Sequence, residues 1–78
     1  MNRDLENEIR SFVLINFYEI KRSERISLID SLEYLLSVHY KMEPNEVRGK
    51  LVSIVSSSKS PIELLQKINE RFRSKSLR

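Results

Sequence analysis

The chain has no cysteine and no tryptophan, and its 78 residues include one glycine, two prolines and one histidine. Each scarcity excludes something. Without cysteine there is neither a disulfide nor a thiolate zinc site to stabilise a small fold. A single glycine cannot build the glycine-rich loop that cradles a nucleotide phosphate, and a single histidine leaves a transition metal without its usual set of nitrogen ligands. No cofactor is therefore expected. Long apolar runs are missing too: "FVLINFYEI", Phe12 to Ile20, is broken by Asn16 and Glu19 and falls well short of the ~20 residues that span a bilayer. The opening "MNRDLENEIR" mixes charges and lacks a small-residue cleavage site, so no membrane association and a cytoplasmic location are expected.

What is present is the balance of a folded chain, 40% hydrophobic and 32% charged. Apolar residues recur at helical spacing in four segments. Leu5, Ile9, Phe12, Val13, Phe17 and Ile20 mark a first helix over about 4–20; Leu28, Ile29, Leu32, Leu35, Leu36 and His39 mark a second over about 24–40, with Ser23 as its cap and Glu24 in its first turn. Pro44 suits the first position of a third helix, about 44–56, whose inward stripe is Val47, Leu51, Ile54 and Val55. In "SPIE", Ser60 caps a fourth helix, Pro61 opens it and Glu63 completes a capping box; Ile62, Leu65, Ile68 and Phe72 are its expected inward residues up to about 73. No segment alternates at period two. The expected fold is all-α, a compact bundle of four short helices forming one domain over 1–73, with 74–78 a frayed basic tail. A domain this small buries only roughly 60–65% of the surface its unfolded chain exposes, which favours a homodimer.

Catalysis finds little support in the residue types. A hydrolase or transferase needs a nucleophile, a base and a group that stabilises developing charge. His39 falls on the inward stripe of the second helix, the place of a packed side chain rather than of a general base. Asp30 and Glu33, three residues apart, read as helix surface. The protein is expected not to be an enzyme.

The charge distribution says more. Residues 1–46 carry six Lys/Arg against nine Asp/Glu, net −3, whereas residues 47–78 carry eight against two, net +6. A basic half points to a polyanion, because Lys and Arg that neutralise phosphates release counterions. Phe12, Phe17, Tyr18, Tyr34 and Tyr40 all lie in the acidic half, which argues against stacking on single-stranded bases and leaves duplex DNA. Candidate DNA contacts are Arg48, Lys50, Lys59, Ser60, Lys67, Arg71, Arg73 and Lys75. Helices three and four, joined by "SSSKS", have the order of a helix–turn–helix. The free N–H groups that open the fourth helix, with Ser57, Ser58, Lys59 and Ser60, are a candidate phosphate seat.

Small residues gather on the third helix. Gly49, Ser53 and Ser56 fall opposite its apolar stripe, and a helical glycine costs roughly 1 kcal/mol relative to alanine, so close approach of another helix or of a phosphate backbone is the expected compensation. Tyr18, Tyr34 and Tyr40, together with Val38, Gly49 and Ser53, are the candidate interface residues for a dimer or a protein partner.

"ISLIDSLE", Ile26–Glu33, followed by "EVRGKLVSIV", Glu46–Val55, resembles the helical core of the small AriR-type connector and biofilm regulators of enterobacteria. That resemblance implies a dimeric all-α protein linked to DNA binding and two-component signalling; it covers less than half the chain and transfers no functional residue. The expected function is a small non-enzymatic regulator that binds DNA through its basic C-terminal half. The alternative is an adaptor or inhibitor that binds another protein through an apolar helix face.

Overall fold

Pro44 and Pro61 each open a helix, as their fixed φ and missing N–H favour. The computed structural model describes residues 3–22 and 26–76, with the side chains of Arg3, Ile26 and residues 73–76 left aside. Four helices follow in order: α1 Arg3–Arg22, α2 Ile26–Tyr40, α3 Pro44–Ser57 and α4 Pro61–Ser76, with no strand among the described residues. The expected cap Ser23 and the first-turn Glu24 lie outside the described residues, as do the side chains of Arg73 and Lys75. Helix α4 extends three residues beyond its expected end, so 74–76 continue the helix; "RSKS" contains no glycine or proline to interrupt it.

Each helix packs on the other three, and the core is one cluster in which Val13, Phe17, Ile20, Leu32, Leu36, Val47, Ile54, Leu64 and Phe72 are fully buried. The stripes expected for α1, α2 and α3 supply it, with Leu5, Phe12, Leu28 and Ile29 half-buried at its margin. In α4 the register differs. Leu64, Ile68 and Phe72, spaced four apart, point inward, while Ile62 is exposed and Leu65 half-buried. Leu64 and Ile62 sit about 200° apart around the helix, so only one of the two can join a stripe that continues through Ile68 and Phe72.

Helix α2 ends with Lys41 in the left-handed region, φ 56°, and the Met42 N–H reaching back to the Ser37 carbonyl at 3.1 Å. This is a C-terminal cap that normally carries glycine. Helix α3 begins less well: Glu43 stands at its N-cap with extended φ and ψ and makes no side-chain cap bond.

Candidate functional site

The serine cluster lies between α3 and α4, and its hydroxyls turn inward on the chain. A helix leaves its last four carbonyls without intrahelical donors. In α3 these are Ile54, Val55, Ser56 and Ser57, and each finds one. Ile54 O accepts from Ser58 Oγ at 2.6 Å and from Ser57 Oγ at 3.2 Å. Val55 O accepts from the Ser58 N–H at 3.2 Å and from Lys21 Nζ at 3.4 Å. Ser56 O accepts from Lys21 Nζ at 3.0 Å, and Ser57 O from Lys67 Nζ at 3.1 Å. Ser58 is buried with that bond. Two lysines from α1 and α4 thus meet the negative end of the α3 dipole, where cations are favoured. Lys21 belongs to none of the sequence-level candidates; its partner carbonyls lie 34 and 35 residues away, and nothing local announces them.

The start of α4 is closed in the same manner. Ser60 Oγ accepts the Glu63 N–H at 3.1 Å, the expected half of the capping box. Glu63 Oε1 accepts the backbone N–H of Lys59 at 3.0 Å, one residue upstream of the cap, and Glu63 Oε2 lies 3.3 Å from Lys67 Nζ. The Lys59 N–H, with Lys67 next in strength, holds the Glu63 carboxyl below the ordinary glutamate range. The anion at the α4 N-terminus is therefore the chain's own carboxylate. Ser57, Ser58, Ser60 and the Lys59 N–H, expected to serve a phosphate, serve the backbone and Glu63 instead.

Arg48 bridges α3 to α2. Its Nε donates to Glu33 Oε1 at 2.7 Å and its Nη2 meets both Glu33 and Asp30. The hydrogen bond that Arg48 donates to Glu33, ahead of the other contacts, raises the Arg48 pKa further above its already high value. Asp30 and Glu33 are thus one side of an interhelical ion cluster rather than bare helix surface. Of the DNA-contact candidates, Arg48, Lys67, Ser60 and Lys59, the last through its N–H, are engaged within the chain; Lys50 and Arg71 stand outside these networks.

The interface candidates divide similarly. Tyr18, Tyr34 and Val38 are exposed. Tyr40 is half-buried and stacks on Phe72 with centroids 5.4 Å apart, which makes it part of the core margin. Gly49 and Ser53 are exposed, and a Cβ at Gly49 would meet nothing within 4 Å, so no other helix approaches there among the described residues. His39 packs its ring edge-on against Tyr40 at 4.6 Å, with Nδ1 buried and unpartnered among the described residues.

Leu14 and Ile15 were assigned to no face by sequence, yet with Tyr18 they form the most exposed apolar group of α1; Ile15 is 79% and Tyr18 62% exposed. Tyr18 is steadied by an edge contact to the buried Phe17 at 5.0 Å. Between α1 and α2 a shallow groove is lined by Glu8, Phe12, Ser31, Tyr34 and Leu35, so the exposed side of α1 adjoins that of α2. Among the described residues no helix is long and apolar enough to cross a membrane, and no group of three or more histidine or carboxylate side chains is placed to hold a metal. Comparison with family models, curated proteins and solved structures finds no match for this chain.

Proposed function

We propose that this protein is a small non-enzymatic helical regulator that works by macromolecular contact, and that its first partner is a second copy of itself. One observation carries the reading: the core closes without Leu14, Ile15 and Tyr18, which stand together on the outer side of α1. Large apolar side chains grouped on one exposed helix face mark contact surfaces. Sedimentation equilibrium tests it, with thermal melts over a range of protein concentration. A dimer whose melting temperature rises with concentration is the expected result; a monomer throughout, with a concentration-independent melt, overturns the self-association.

Duplex DNA is the second reading, favoured by the net +6 of residues 47–78 and by Lys50 and Arg71, which remain outside the ion networks. Binding of this kind weakens with salt by a slope of about −0.9 per phosphate neutralised. A gel shift at low salt with wild type and a Lys50→Gln/Arg71→Gln variant tests it. Binding that is weakened for all sequences alike supports DNA; no shift at low salt removes DNA and leaves protein contact alone.

A further inference from the structure

Asp4, Glu8, Ser11, Ile15, Tyr18 and Arg22 follow one another along α1 at spacings of four and three, and all six are exposed. This is the spacing of a seam between two helices. It runs from acidic at the N-terminal end to basic at the C-terminal end.

We propose that two copies of the chain pair α1 against α1 in antiparallel orientation along this seam, on a dyad level with Val13; the inference rests on the self-association proposed above. About that dyad Asp4 lies opposite Arg22 of the second copy, Glu8 opposite Tyr18, and Ser11 opposite Ile15. Every layer is complementary. Acid meets base, a carboxylate meets a phenol O–H that can donate to it, and the small serine faces the large isoleucine. Parallel pairing would set Asp4 on Asp4, Glu8 on Glu8 and Arg22 on Arg22, three like-charge layers. Antiparallel α1 helices also bring opposite dipole ends together. Leu14 flanks the seam, and the groove that Glu8 shares with Tyr34 carries the contact onto α2. Arg22 also interacts within its own chain, as a rim charge can while facing a second partner.

Sedimentation equilibrium on wild type and three variants tests the proposal, with far-UV circular dichroism to confirm that each is helical. Ile15→Glu should be a helical monomer, because Ile15 makes little contact with its own core. Asp4→Arg should weaken the dimer about tenfold, since two opposite-charge pairs become like-charge pairs. The Asp4→Arg/Arg22→Asp exchange should restore it, which only the antiparallel arrangement allows. A dimer indifferent to Ile15→Glu overturns α1 as the seam and leaves self-association standing. Dissociation by Ile15→Glu, with the exchange failing to restore what Asp4→Arg weakens, overturns the orientation. A wild type that is monomeric at every concentration overturns this inference and the self-association together.

Discussion

Arg48 and Glu33 lie 15 residues apart and on different helices, yet the arginine Nε donates to the carboxylate at 2.7 Å. Glu33 is the more sheltered of its two acids, its side chain 15% exposed against 58% for Asp30. Water screens the Asp30 contact more strongly. Arg48→Gln and Glu33→Gln should therefore each lower the melting temperature, with the double variant no worse than the worse single one; Asp30→Asn should do less. Melts of wild type, Arg48→Gln, Glu33→Gln and their double form a double-mutant cycle, and additive losses would show that the pair is not coupled.

Glu63 predicts an acid limb. Its carboxyl is held below the ordinary range by the Lys59 N–H and Lys67. A depressed folded pKa contributes stability that is present above the unfolded value, about 4.3, and is lost as pH falls through the folded one. Wild type should lose melting temperature more steeply than Glu63→Gln below about pH 4, and the two curves should converge in acid. Parallel curves down to acid pH would contradict the linkage.

Gly49 stands in open space, so Gly49→Ala should stabilise α3 by up to ~1 kcal/mol and Gly49→Leu nearly as much. Denaturant unfolding measures both. If leucine instead dissociates the protein or abolishes DNA binding while folding stays intact, the small face of α3 is where a partner arrives.

Lys41 holds the left-handed position that ends α2. Glycine adopts that conformation without a Cβ penalty, although it loses more entropy on folding, so Lys41→Gly should raise stability by up to ~1 kcal/mol. Lys41→Ala, which keeps the Cβ, should not. Equal effects of the two would mean that the lysine side chain, not its backbone angle, governs the position.

A buried stripe is a local pattern, and so is a cap. That is why the four helices, the starts at Pro44 and Pro61, the Ser60 bond to Glu63 and the inward sides of α1, α2 and α3 were legible from residue order: each depends on neighbours within one or two turns. The inward side of α4 was less so, because Ile62 and Leu64 both fit a helical stripe and only the surfaces it packs on choose between them. The functional residues depended most on distant partners. Arg48 and Lys67 look, in the chain, like Lys50 and Arg71, since the charge is the same; among the described residues, two of them meet carboxylates or carbonyls brought close by the packing of α3, and two do not. Ser57 and Ser58 have the chemistry of phosphate donors, but the end of α3 places the Ile54 carbonyl beside them. Periodicity and capping are short-range and belong to the chain alone, whereas whether a charge, hydroxyl or apolar side chain remains for a partner depends on what the other helices place beside it.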